Sequence, residues 1–170
     1  MTRPLLVAML WAYAFLANSA FGSEKAPVEV AAKGKTEVTA DFGKKKIRVA
    51  ITAHEVLIGD PSVARPAIVE TSCTYSRFPC SVVNRIEISV NTGAVFVPRS
   101  VYADLADVNS FELSSVKTGF ALTLHGGDGS EAYRLVVVFD GTEIKKRTLY
   151  SELDSDKPIQ ETTYYSQPAD

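Results

Sequence analysis

Cysteine and histidine are scarce in this chain, with two of each among 170 residues, and that scarcity removes most metal chemistry. A catalytic zinc site usually draws on three protein ligands. His54 and His125 recruit Asp128 or Glu131 only if the fold happens to converge them, so no metal or cofactor is expected. The nucleophile elbow G-x-S-x-G is missing, and so is the phosphate-loop pattern ending in Gly-Lys-Ser/Thr. No sequence-readable carboxylate pair stands out. Strong charge is also absent: 18 basic residues face 20 acidic ones, for a net charge of −2. That balance argues against nucleic acid or an anionic membrane as the main partner. The basic clusters Lys44-Lys45-Lys46 and Lys145-Lys146-Arg147 read as solvated strand faces or protected sheet edges.

Long apolar runs are missing too. The longest, Leu5 to Ala17, has thirteen residues and as a helix reaches roughly 20 Å, against a hydrocarbon core of about 30 Å. It follows a short n-region with one positive charge, Arg3, and gives way to Asn18, Ser19, Ala20 and Gly22. That order is the signature of a secretory signal peptide, so residues 1–22 are expected to be removed. No stable membrane insertion is expected afterwards. The short n-region and the lack of any N-x-S/T acceptor fit a bacterial source. The expected location is therefore periplasmic or secreted.

The remainder, about 150 residues, is a normal size for one domain with its own core. Residues 23–36 read as a flexible leader with room for one edge strand, 37–166 as a single β-rich domain, and 167–170 as a polar tail. Strands are expected from Ile47 to Ile58, Ala67 to Ser72, Ile86 to Val90, Val95 to Val97, and Ser110 to Val116. Four more are expected from Phe120 to Leu124, Tyr133 to Phe139, Glu143 to Tyr150, and Ile159 to Tyr165. Ile86-Glu87-Ile88-Ser89-Val90 alternates strictly, as a half-buried strand does. Asp140-Gly141 is a hairpin signal that suits the positive φ angles of a type I′ turn. Ser100 as N-cap, with Val101, Leu105 and Val108 on one face, predicts a short helix over about 100–107. Eight to ten short strands with one such helix predict a mainly β fold. Its expected form is an antiparallel sandwich or a curled, barrel-like sheet.

Cys73 and Cys80 lie close together in a chain bound for an oxidising compartment, which predicts a disulfide. A bridge closing so short a loop contributes about 2–2.5 kcal/mol on the chain-entropy model. The loop displays Tyr75, Arg77 and Phe78, and aromatics and arginine are the types that dominate interface hot spots. It is therefore the candidate recognition loop, with a protein as its possible partner. The alternative is that the aromatics fold back onto the sheet and the bridge only staples a hairpin.

Cys73-Thr74-Tyr75-Ser76 with Pro79 and Cys80 resembles a shortened Bowman–Birk protease-inhibitor loop. The resemblance implies Tyr75 in a protease's primary pocket and Tyr75–Ser76 as the reactive bond. It covers eight residues; the loop is one residue short, and Phe78 stands where the family has proline. The rest of the chain does not match, and we do not assign the chain to that family. His125-Gly126-Gly127-Asp128-Gly129-Ser130 is similar to an esterase oxyanion loop, yet without a nucleophile elbow it reads as a connection between two strands. The functional expectation is a non-catalytic binding or accessory protein. The alternatives are an enzyme with a dispersed carboxylate or histidine site, and a structural subunit that assembles through its edge strands.

Overall fold

A computed structural model describes residues 26–58, 73–75 and 77–166. The expected signal peptide, the strand expected from Ala67 to Ser72 and the polar tail lie outside the described residues. Within them the chain forms β1 (Val28–Glu29), β2 (Gly34–Phe42), β3 (Lys45–Val56), β4 (Cys80–Val90) and β5 (Gly93–Val95). The second half forms β6 (Val108–Val116), β7 (Gly119–Gly126), β8 (Tyr133–Phe139), β9 (Ile144–Ser151) and β10 (Asp154–Thr163). These make two antiparallel sheets, one of six strands ordered β1-β6-β7-β8-β9-β10 and one of four ordered β2-β3-β4-β5. The fold is the mainly β, sandwich-like arrangement expected.

Alternation explains how the sheets face each other. Ile47, Val49 and Ile51 of β3 and Ile86, Ile88 and Val90 of β4 point to one side, where they meet Phe111 and Leu113 of β6. Leu122 and Leu124 of β7 and Leu135, Val137 and Phe139 of β8 complete the same core. Each such side chain contributes about 1.5–3 kcal/mol on full burial. Phe42, Phe120 and Phe139 form a chain of tilted rings, 5.7 Å between successive centroids, at one end of the sandwich.

Toward the other end a β-bulge changes the pattern. Thr52 pairs with Arg85 and Ala53 with Val83, which leaves Asn84 as the extra residue on β4. A bulge shifts side-chain parity by one. Val83 and Ser81 therefore continue the inner face, while Val82 and Cys80 turn outward into a second small cluster with Cys73 and Ala106. The sheets are joined nearby, where Val82 bridges Ala106 just ahead of β6. They are joined again where Phe96, just past β5, bridges Glu143.

Three expectations need correction. The helix over about 100–107 is a single 3₁₀ turn, Arg99–Val101. Val101 and Leu105 are buried as the helical spacing implied. However, Asp107 takes a left-handed φ of 51°, and Val83 N–H donates to the Leu105 carbonyl at 3.0 Å. Pairing with β4 wins over continuing the helix. Ser100 makes no cap; its hydroxyl stands 3.3 Å from that of Tyr164.

The β8–β9 hairpin exists, but Phe139 pairs with Ile144, so the loop has four residues, and Gly141 has no positive φ. Asp140 sets that geometry. Its Oδ1 accepts from Thr142 N–H at 2.8 Å, Thr142 Oγ1–H at 2.9 Å and Glu143 N–H at 3.0 Å, an Asx turn in place of type I′.

Arg147 does not share a solvated face with its lysine neighbours; it is buried. Its position points inward, and all three of its guanidinium nitrogens are hydrogen-bonded there. It makes two bonds to Asp104 at 2.7 and 2.8 Å, one to the Val101 carbonyl at 3.1 Å and one to Gln160 Oε1 at 2.6 Å.

Candidate functional site

The end of the sandwich marked by the bulge gathers two of the segments that the sequence singles out. Cys73 and Cys80 are bridged, with Cα atoms 5.6 Å apart. The loop they close lies against the glycine-rich connection after β7.

Asp107 is the centre of the arrangement. It is 1% exposed, and its carboxylate spans the two ends of the loop. Oδ2 accepts from Thr74 N–H at 2.8 Å, and Oδ1 accepts from Ser81 N–H at 2.9 Å. Each donor follows a cysteine of the bridge directly. Asp107 N–H donates back to the Ser81 carbonyl at 2.6 Å, and its own carbonyl accepts from Gly127 N–H at 3.0 Å. A buried carboxylate is tolerated when backbone N–H groups satisfy it. Aspartate is among the few residues enriched at a left-handed φ, so this position suits its side chain on both counts.

Further bonds fasten the loop from the side. Tyr75 N–H donates to Glu131 Oε2 at 2.7 Å. Arg77 N–H closes a turn on the Thr74 carbonyl at 3.1 Å. The Arg77 guanidinium donates to Asn109 Oδ1 at 2.6 Å and stands 3.9 Å from Asp128 Oδ2. Asn109 in turn donates to the Gly127 carbonyl at 2.8 Å. The glycines are required for this fit: a Cβ on Gly126 would lie 2.3 Å from the Tyr133 ring, and one on Gly127 would lie 2.2 Å from the Glu131 carbonyl oxygen. Tyr133 donates its hydroxyl to the Ala106 carbonyl at 2.8 Å. Burial first, then the nearby Asp107 and Asp104 carboxylates, raise its pKa far above the usual phenol value, so it stays a donor.

The three residues expected to display themselves differ in placement. Tyr75 is 53% exposed. Phe78 is half-buried and precedes Pro79 through a cis peptide. Arg77 is half-exposed, but its head group is engaged in holding the loop. It also lines a cleft of about 410 Å³ beside the loop, together with Glu29, Val30, Ser81, Asn109 and Ser110. Ser76, the other half of the bond singled out by the inhibitor resemblance, lies outside the described residues.

The histidines are elsewhere. His54 is exposed near the end of β3. His125 is on the outer face of the six-stranded sheet, with Nδ1 3.1 Å from Glu152 Oε1 and Nε2 3.9 Å from Glu112 Oε1. Asp128 and Glu131, the acids proposed as its co-ligands, hold the disulfide loop instead. Among the described residues no group of three or more His, Cys, Asp or Glu side chains is placed so that it could hold a metal ion.

Sequence reasoning missed Asp107 and Glu131 as loop anchors. The available signal was an acid inside an apolar run, Leu105-Ala106-Asp107-Val108, which hints at a buried, satisfied carboxylate. The fold and this site define a two-sheet β domain with a disulfide-closed loop clamped to one end. Compared with protein-family models, curated proteins and solved structures, the chain matches none.

Proposed function

We propose that the protein is an exported, non-catalytic binding or accessory protein of the periplasm or cell exterior, which meets a protein partner through the 73–80 loop. The observation that carries this reading is an exposed Tyr75 on a loop held at both ends by Asp107. A loop tied at both ends loses less entropy on binding than a free one, and aromatics are enriched among interface anchors. The disulfide is compatible with an oxidising extracellular or periplasmic location, where the expected signal peptide would deliver the chain.

The test is capture from periplasmic or secreted extract by oxidised protein, beside a Tyr75→Ala/Phe78→Ala variant. Arg77 is left intact because removing it would loosen the loop. A partner held by the first and lost by the second supports the reading. Equal capture by both reduces the loop to a staple.

One observation favours the enzyme alternative: an imidazole 3.1 Å from a carboxylate is a general-base arrangement. Against it, His125 is not among the residues that line the cleft beside the loop, and its second nitrogen faces Glu112 in place of a nucleophile. Hydrolysis of an ester or glycoside panel, abolished by His125→Ala, would restore that alternative.

A further inference from the structure

Among the described residues strand β4 is paired with β3 along its length, and its other edge is covered only at the two ends. β5 pairs with Ile88, Ser89 and Val90. At the far end Val82 bridges Ala106, and Val83 N–H bonds the Leu105 carbonyl. Between them the edge at 84–87 has no strand beside it among the described residues. The reason is the chain's path. After β5 it crosses to the β8–β9 hairpin, where Phe96 N–H donates to the Thr142 carbonyl at 2.9 Å, and it returns to β4 only at Leu105. The window opens into a groove of about 670 Å³, lined by Arg85, Ile86 and Glu87 on one wall and by Phe96, Val97 and Tyr102 on the other. Phe96 is 72% exposed.

Unpaired strand edges template added strands, and proteins usually blunt them with charge, proline or cover. The edge strand β10 is blunted in that way, with exposed Asp154, Asp156, Lys157 and Pro158. The β4 window differs: its charged side chains, Arg85 and Glu87, lie on the outer face, while Phe96, Val97 and Tyr102 line its other wall. A charge ladder also runs to its rim across the outer face of the four-stranded sheet. Glu37 pairs with Arg48, Lys35 with Glu37 and Glu87, and Arg85 with Glu87 at 3.2 Å. The ladder ends at Arg85, whose side chain is well exposed.

The geometry points to this window as a strand-addition site for an extended peptide segment of a partner protein. Four residues in β conformation span about 13 Å, at roughly 3.3 Å each, and the covered ends admit no more. The segment alternates: an apolar side chain turns in toward Phe96 and Tyr102, and charged ones turn out, an acid opposite Arg85 and a base opposite Glu87. Opposite charges in facing cross-strand positions stabilise such a pair.

A displayed library of random ten-residue peptides, selected on the oxidised protein and counter-selected on a Phe96→Asp variant of equal melting temperature, tests this. The expected result is enrichment of alternating apolar and charged peptides. Their binding perturbs the backbone amides of 84–87 in NMR spectra, weakens at least tenfold with Phe96→Asp and is abolished by N-methylating alternate peptide residues. An Arg85→Glu variant is expected to select a base where the original selects an acid. No enrichment over the counter-selection, perturbations mapping elsewhere, or occupation of the edge by a second copy of the chain, seen as dimers lost in Phe96→Asp, would each overturn the proposal.

Discussion

Asp107 carries more of the candidate site than any residue of the loop it holds. Replacing it by alanine leaves Thr74 N–H and Ser81 N–H without their acceptor and puts a Cβ residue without a local hydrogen-bonding side chain at a left-handed φ. Unmet buried donors cost about 1–3 kcal/mol each, so Asp107→Ala is expected to lower unfolding free energy by about 2–4 kcal/mol in urea titrations. Asp107→Asn keeps one acceptor oxygen and a side chain that tolerates this φ, so its cost should be clearly smaller. Equal losses for both variants would mean that the carboxylate does not bridge the loop. Arg147 and Asp104 offer a second residue-scale contrast. Asp104→Ala leaves a guanidinium buried without its charge partner, which costs up to about 3–5 kcal/mol. Arg147→Met fills the site with apolar volume while Asp104, half-exposed, rehydrates. The alanine variant is therefore expected to be the less stable of the two by thermal melt.

At the scale of elements, the loop, its disulfide and Asp107 form one unit. Removing the bridge by Cys73→Ser/Cys80→Ser is expected to cost about 2–2.5 kcal/mol. Combined with Asp107→Ala, the loss should fall short of additive, since either change alone already frees the loop. Full additivity in a double-mutant cycle would contradict that coupling. Hairpins and sheet faces carry the acid sensitivity. The Arg48 hydrogen bonds hold Glu37 down from 4.5 to about 2. Burial pushes Asp140 up, but the N–H groups of Thr142 and Glu143 with Lys145 outweigh it and hold it well below 3.8. Lys145 and Ser166 lower Glu143 likewise. Each of these groups binds fewer protons folded than unfolded, so its contribution is present above its ordinary pKa and is lost as pH falls through its folded value. Urea midpoints should therefore drop between about pH 4.5 and 2. The drop should be shallower in Glu37→Gln, and modest in size because these groups are exposed.

The same elements show what the sequence could and could not convey. Period-two runs such as Ile86 to Val90 placed strands because alternation has one physical cause, a sheet with one buried face. The 100–107 segment misled because Val101, Leu105 and Val108 have helical spacing. The segment is too short to nucleate a helix alone, and pairing of Leu105 and Ala106 with β4 decided its shape. Asp140-Gly141 marked the right hairpin with the wrong turn, since the aspartate's side chain supplied bonds that a type I′ geometry does not use. The Asn84 bulge, which turns Cys80 and Val82 toward the loop, is a register property of two strands and has no local signature.

At the scale of the whole molecule, one contiguous core joins the two sheets, with Leu122 fully buried between them. Leu122→Ala is expected to cost about 2–5 kcal/mol with no effect on loop binding, which separates stability from recognition. The cysteine loop and the glycine-rich loop were each legible in the sequence, but their meeting was not. They lie some fifty residues apart, and only the order β6-β7 beside the start of β4 brings them to one end.

Photo-crosslinking from position 75 decides whether the 73–80 loop meets a partner. A benzoylphenylalanine placed at Tyr75, in the oxidised protein within its own compartment, is compared with the same probe at exposed Lys44 on the β2–β3 turn. A recognition role for the loop predicts a discrete crosslinked partner from position 75 that is absent from position 44 and disappears in the Asp107→Ala background. Identical adducts from both positions, or none from either, would contradict a recognition role for the loop.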